Sequence, residues 1–329
     1  MSEVSLAVVG LGYWGPNLAR NIDSLSGARL TWCADADATK RARFEPVFRS
    51  SRFTDSLDEV LADDSLDGVL LATPVPTHAD LAVRVLQAGK HCFVEKPLAQ
   101  SVADAERAVA AASASERLLM VGHLLEYHPG VRQLADLVHG GELGSVHYIY
   151  TNRLNLGQLR ADENALWSLG AHDVSVVLEL AGEEPSELEC RGECYMRPGI
   201  EDVVFAYLRF PSGITAHLHL SWLDPHKERR LTVVGSRRMA TFDDMALERK
   251  LTIYDKGFDE KADSWGEYIT RSGDVMSPRI GNAEPLRLEC EHFVHCIANG
   301  ETPRSDGLSG LRVVRVLEGL QASLERTRR

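Results

Sequence analysis

No apolar run in this sequence approaches the ~20 residues that a helix needs to span a bilayer, which argues against an integral membrane protein. Positive charge is scarce too. Lys and Arg number 36 against 48 Asp and Glu, a net charge of −12, and basic residues cluster only in short pairs. That balance makes nucleic acid and anionic membranes poor partners. Six cysteines in 329 residues do not form a disulfide framework, and the one close pair, Cys190 and Cys194, lacks nearby metal-ligand partners. The opening MSEVSLAVVG has no basic leader and moves straight into strand-like residues. The expectation is a cytoplasmic protein with reduced thiols. Internal repeats and low-complexity segments are missing as well. What is present, 44% apolar and 26% charged residues, is the composition of a soluble globular chain long enough for about two domains.

The most informative segment lies at the start. Residues 6–15, LAVVGLGYWG, run from an apolar strand into Gly10-x-Gly12-x-x-Gly15 and then a helix. Twenty residues past Gly15, a second apolar run ends on Asp35. This is the spacing of a strand–turn–helix–strand unit that binds a dinucleotide. Gly10 allows the tight turn, Gly12 lets the backbone approach a pyrophosphate, and Gly15 allows close packing of the helix. Tyr13 and Trp14 lie inside the same turn and join the cofactor set. The helix N-terminus offers N–H groups and a positive dipole end to phosphate. Asp35 can accept from both ribose hydroxyls and repels a 2′-phosphate, which favours NAD. Lys40 and Arg41 close by keep NADP open.

Residues 1–123 alternate strand patterns (5–10, 29–35, 68–73, 91–95 and 118–122) with helical ones (14–25, 77–88 and 102–115). Such alternation predicts a mostly parallel, doubly wound α/β sheet of the Rossmann kind, with cofactor across the carboxyl ends of its strands. After 124 the pattern changes. A helix over 129–139 precedes strand-like stretches at 146–155, 203–210, 214–222, 231–234 and 251–254, not interleaved with helices. The second domain, 124–329, is therefore expected to be α+β with a large, mainly antiparallel open sheet. Residues 259–284 read as a loop, and 285–299 and 307–325 as closing helices.

Five places carry candidate chemistry. Glu95-Lys96-Pro97 follows a strand at the edge where cofactor would lie. A lysine there can donate to the nicotinamide ribose and to a substrate hydroxyl, and a cis Pro97 is one way to fix its pose. The alternative is a solvated lysine. Thr73-Pro74 ends another strand and leads through Thr77, a candidate helix cap, to His78, read as structural rather than catalytic but counted with the residues lining the cofactor. His172-Asp173 precedes an apolar helical segment. A histidine at a helix entrance suits proton transfer near pH 7, with Asp173 orienting it or capping the helix; a buried structural histidine reads equally well. Cys290, His292, His295 and Cys296 share helical spacing but alternate like a packing helix, so no metal site is expected. His217 and His219 share a strand face suited to a sheet or subunit interface.

The ordered set Gly10-Leu-Gly12-Tyr-Trp-Gly15-Pro-Asn, Ala72-Thr-Pro74, Glu95-Lys96-Pro97 and Leu-Gly-Ala-His172-Asp173 resembles the Gfo/Idh/MocA oxidoreductases over nearly the whole chain. The resemblance implies a Rossmann domain followed by an open sheet. It further implies sugar or cyclitol substrates, hydride exchange with a nicotinamide, and homodimers or homotetramers built through the C-terminal sheet. By motif, Lys96 becomes the hydroxyl-polarising lysine and His172 the proton acceptor. Many members carry an acid four residues before that histidine, where this chain has Ser168, so Asp173 is expected to substitute or the work falls to His172 and Lys96. Glu126-Tyr127-His128-Pro and Asn164-Ala-Leu-Trp167 look closest to members acting at C3 of nucleotide-linked sugars. Tyr127, Arg153, Asn155, Arg160 and Trp167 are then substrate candidates, and Arg153, Arg160, Lys227 and Arg229 can contact a diphosphate. A free-sugar or inositol dehydrogenase and a non-catalytic NAD- or sugar-sensing regulator remain as alternatives.

Overall fold

The computed structural model describes residues 3–157, 159–160, 163–260 and 268–327. The chain separates into two compact units, Met1–Tyr127 with Ala283–Arg315, and His128–Asn282 with Val316–Arg329. The boundary thus falls four residues beyond the expected 123, and residues 283–315 return to the first unit rather than staying with the second.

In the first unit, strands β1 (Val4–Val9), β2 (Ala28–Ala34), β3 (Arg52–Thr54), β4 (Gly68–Leu71), β5 (His91–Glu95) and β6 (Leu119–Gly122) alternate with helices. The helices are α1 (Gly15–Ser24), α2 (Ala38–Phe44), α3 (Leu57–Leu61), α4 (His78–Gln87) and α5 (Val102–Ser115). All strand pairs are parallel, in the order β3-β2-β1-β4-β5-β6. The order reverses between β1 and β4, which makes the carboxyl ends of these two strands the natural cofactor crevice. Every residue of β1 and β4 is buried, as a parallel sheet covered on both faces requires. The later helix Pro285–Asn299 explains why 283–315 belongs here. Its Leu286, Cys290, Phe293 and Val294 enter the core around β1 and α1, and Phe293 meets Phe93 edge-on at 5.8 Å.

The second unit begins with α6 (Pro129–His139), β7 (Val146–Leu156) and α7 (Ala165–Ala181). Strands β8 (Glu187–Glu193), β9 (Val203–Arg209), β10 (Thr215–Ser221), β11 (Leu223–Gly235), β12 (Met239–Asp243), β13 (Leu251–Glu260) and β14 (Tyr268–Met276) follow. The sheet order is β14-β13-β12-β11-β7-β10-β9-β8, antiparallel throughout except for β7 beside β10. The helix at Pro285–Asn299 is α8, and α9 spans Gly307–Thr327. Along β10, Ala216, Leu218 and Leu220 are buried, each such leucine contributing about 1.5–3 kcal/mol. Gly170 of α7 lets the helix lie close to that face, because a Cβ there would come within 3.0 Å of Leu220 Cδ1. On the opposite face His217 stacks on Tyr150 at 5.2 Å and His219 on Phe205 at 4.4 Å.

Two expectations need correction. Residues 259–284 are not simply a loop, since they include the end of β13 and all of β14; residues 261–267 lie outside the described set. Nearly every residue of β14 is exposed, so it shows no apolar alternation to read. The second correction concerns α7, which starts at Ala165 rather than after Asp173. Asn164 caps it by accepting from the Trp167 N–H at 3.2 Å. No helix among the described residues is long and apolar enough to cross a membrane.

Candidate active site

The glycine turn divides into packed and open positions. Gly10 has φ +95°, and a Cβ on it would stand 2.5 Å from the Ala72 carbonyl oxygen. A Cβ on Gly15 would overlap the Gly10 carbonyl oxygen at 1.7 Å, so this glycine admits the turn itself rather than a neighbouring strand. Gly12 has nothing within 4 Å of the corresponding point. Among the described residues no side chain caps α1, which leaves its N-terminal dipole to a ligand. An open Gly12 beside an uncapped helix start is a cradle that fits a dinucleotide pyrophosphate. Tyr13 is 83% exposed, whereas Trp14 packs against the core.

Asp35 does more than wait for a ribose. Its Oδ2 accepts the Leu11 N–H at 2.6 Å, inside the glycine turn, and its Oδ1 accepts the Asp37 N–H at 2.8 Å. Lys40 Nζ lies 3.4 Å from Oδ2, and Arg41 donates to the Asp35 carbonyl. Both cations are thus drawn toward Asp35 and not held apart for a 2′-phosphate.

At the end of β5 the Lys96–Pro97 peptide is cis. Glu95, just before it, is buried, and burial lifts its carboxyl to about 7 against the opposing pull of the Lys96 ammonium. His123 is fully buried, and burial, reinforced by Lys96, lowers its ring to about 3. Glu289 of α8 is fully buried as well. Its carboxyl is pushed up by burial and then by Glu95 and Glu126. Sequence reading missed Glu289 and His123, since only the return of α8 brings Glu289 near residues so distant in the chain. The Thr73 and Thr77 hydroxyls lie 2.8 Å apart. The same Thr77 oxygen lies 2.7 Å from the Pro74 carbonyl, which can only accept, so the Thr77 hydroxyl is spent within this turn and does not cap α4.

Two first-unit candidates are withdrawn from ligand contact. His78 is 1% exposed, with Nδ1 2.8 Å from the Pro97 carbonyl oxygen and Nε2 2.8 Å from that of Thr73. It stands behind the two loops, with almost no exposed surface. Tyr127 is buried with its hydroxyl 2.9 Å from Ser305 Oγ, a core position rather than a substrate contact. His292 accepts the Arg304 N–H at 3.0 Å, and no group of three or more His, Cys, Asp or Glu among the described residues is placed to hold a metal ion.

In the second unit His172 lies two turns inside α7 and is half-buried, so it is not at a helix entrance. Asp173 neither caps the helix nor stands spare as a base. Both its oxygens face the Arg153 guanidinium, Oδ2 on Nε and Oδ1 3.3 Å from Nη2, in a pair that is almost wholly buried. Arg153, a diphosphate candidate, is thereby held by Asp173. Arg229 donates to Asn155 Oδ1 at 2.8 Å and to the Leu154 and Glu228 carbonyls. Burial, then Arg153, lowers its pKa to about 10. Arg160 pairs with Glu163 at 3.0 Å and stays half-exposed, and Trp167 occupies the first turn of α7. Lys227 is exposed on β11.

A parallel sheet with an open glycine cradle at its switch point and an acid just after β2 defines a dinucleotide-binding Rossmann domain. Residues 4–123 match the oxidoreductase family with NAD-binding Rossmann fold, and 131–241 match the GFO/IDH/MocA C-terminal domain. The chain belongs to the Gfo/Idh/MocA family. It is 26% identical to the UDP-N-acetylglucosamine 3-dehydrogenase of Acidithiobacillus ferrooxidans, over 99% of this chain and 98% of that one. The crystal structure of that enzyme superposes with a TM-score of 0.84 at 25% identity, covering 99% of both chains. The NAD-dependent scyllo-inositol 2-dehydrogenase of Bacillus subtilis is 25% identical, over 92% of this chain and 88% of that one. GenD2 from gentamicin A biosynthesis, in complex with NAD, shares the fold with a TM-score of 0.83 at 24% identity, over 100% and 96% of the two chains.

Proposed function

We propose that this chain exchanges hydride between NAD and a secondary carbinol of a sugar, with C3 of a nucleotide-linked amino sugar as the first candidate. The observation that carries the reading is the end-to-end similarity, in sequence and fold, to a UDP-N-acetylglucosamine 3-dehydrogenase. Bound NAD would supply the hydride acceptor. Gly12 and the start of α1 would hold its pyrophosphate, and Asp35 its adenosine ribose. Lys96, anchored after β5, would donate to the substrate hydroxyl and stabilise the alkoxide developing there. His172 would take the hydroxyl proton in oxidation and return it in reduction. Asp173, neutralised by Arg153, would hold this stretch of α7 in place.

A second reading, a cyclitol or free-sugar dehydrogenase, has a specific observation in its favour. Arg153 is spent on Asp173 and Arg229 on Asn155, which leaves Arg160 and Lys227 as cations for a diphosphate. The similarity to an inositol dehydrogenase is also nearly as high. Reduced-nicotinamide fluorescence decides between them when protein and NAD are mixed separately with UDP-N-acetylglucosamine, myo-inositol and glucose. Signal with the UDP sugar alone is the expected result; signal with inositol or glucose alone removes the nucleotide from the reading. We further propose that the aromatic face carrying Tyr148, Tyr150, His217 and Phe205 joins copies of the chain into a dimer or tetramer. Light scattering would check this, and a monomer at all concentrations would count against it.

A further inference from the structure

His78 is the first residue of α4, yet neither nitrogen of its buried ring meets a side chain. Each lies 2.8 Å from a backbone carbonyl oxygen, Nδ1 from Pro97 and Nε2 from Thr73. The two carbonyls belong to the loops leaving β5 and β4, adjacent strands of the sheet. One loop carries Lys96 and the other Thr73-Pro74. A carbonyl oxygen only accepts, and a neutral imidazole has one N–H and one lone pair. The neutral ring therefore bonds one carbonyl while its lone pair faces the other across the same short distance. The imidazolium donates to both.

We propose that His78 is a positioning residue, a clamp that ties the Lys96-Pro97 peptide to the Thr73-Pro74 loop and grips both only when each ring nitrogen carries a proton. Burial and the nearby Lys96 ammonium act against that proton, and the two carbonyls act for it. Burial is the larger influence, so the ring titrates below its ordinary range. Among the described residues acting on the ring, Lys96 carries the charge, and Thr73 and Pro97, in the loops after β4 and β5, offer carbonyls. As pH rises the clamp lets go of one loop. Lys96 and the threonine-proline loop then no longer share an anchor. The effect on turnover rests on Lys96 as the hydroxyl-polarising lysine, whereas the clamp itself does not.

The ring can be observed directly in the cofactor-free protein labelled with 15N-histidine and 13C-carbonyl. On lowering the pH below 6.5, both His78 nitrogens should move to protonated shifts, and the Thr73 and Pro97 carbonyl signals should move with the same midpoint. Carbonyl signals that ignore the His78 titration would overturn the clamp, whatever the enzyme's substrate. Two variants then separate the grips. His78→Asn places an amide donor near the Nδ1 position, toward Pro97, and His78→Gln places one near Nε2, toward Thr73. With whichever sugar supports NADH formation, His78→Asn should retain kcat and lose its acid-side pH dependence. His78→Gln should lose about tenfold in kcat with little change in KM for NAD, the cost of one hydrogen bond to the Pro97 carbonyl. Equal kcat and unchanged pH profiles in the two variants would refute the role at Lys96, even where the carbonyl signals track the ring.

Discussion

The two units hold their candidate residues in opposite ways. In the first, the candidate residues stand after strand ends, where backbone geometry places them: Gly12 faces open space, and Lys96 follows β5 on a peptide fixed from behind. In the second, most candidate side chains are committed to one another, Arg153 to Asp173, Arg229 to Asn155 and Arg160 to Glu163. A motif set by local backbone conformation can be read for function directly. A charge in the second unit cannot, because its partner is set by tertiary packing: Arg229 finds Asn155 across β7, and Arg153 finds Asp173 on α7.

Glycine substitutions test the first half of that contrast most severely. Gly15→Ala drives a Cβ into the Gly10 carbonyl and should cost more than about 4 kcal/mol, read as loss of folded protein in thermal melts. Gly12→Ala, with open space around it, should melt like the parent while NADH titration shows weakened binding. Equal damage from the two would erase the distinction between packed and open glycines. In the second unit, Arg153→Met strands the Asp173 carboxylate and should cost about 3–5 kcal/mol by denaturant unfolding. A loss under ~1 kcal/mol would mean that the pair is not buried in solution.

Lys96→Ala should lower kcat by about 100- to 1000-fold, the scale for losing one donor to a developing oxyanion, while NADH affinity changes little. Parallel loss of both would return Lys96 to a purely structural role. Glu95 gives a smaller, pH-dependent effect. Its folded pKa of about 7 exceeds the ordinary 4.5, so the folded state binds more protons between these values and stability falls as pH rises through that window. Glu95→Gln should remove up to about 3 kcal/mol of this slope, seen by comparing melts at pH 4.5 and 7.5. Smallest of all, Arg160→Ala breaks a half-exposed pair and should shift stability by less than ~1 kcal/mol. A larger rise in KM for a UDP sugar than for inositol would give that arginine a diphosphate.

The parallel sheet, the glycine turn and the place of Lys96 were legible because each is encoded within a few residues, with Asp35 as the nearest long-range check. The second unit was legible as a mainly antiparallel sheet where strands are half-buried, as along Thr215–Ser221. It was not legible at β14, whose exposed polar residues carry no alternation, nor in α7. There Asn164 supplies a cap eight residues before His172, and the apolar run simply continues through it. Glu289 and His123 could not be found at all, for a buried carboxyl and a buried imidazole show themselves only once α8 has closed over the sheet.

One carboxylate links architecture to the history such a chain can have. Asp35 holds the Leu11 N–H with one oxygen and the Asp37 N–H with the other, so the carboxylate proposed to meet the adenosine ribose and repel a 2′-phosphate is also a strut of the phosphate turn. Trading it for a small neutral residue would admit the bulkier cofactor and, in the same stroke, loosen the loop that must receive either one. Cofactor preference here is consequently hard to drift by a single mutation. An engineer seeking NADP dependence would have to rebuild the turn's support before, not after, removing the acid.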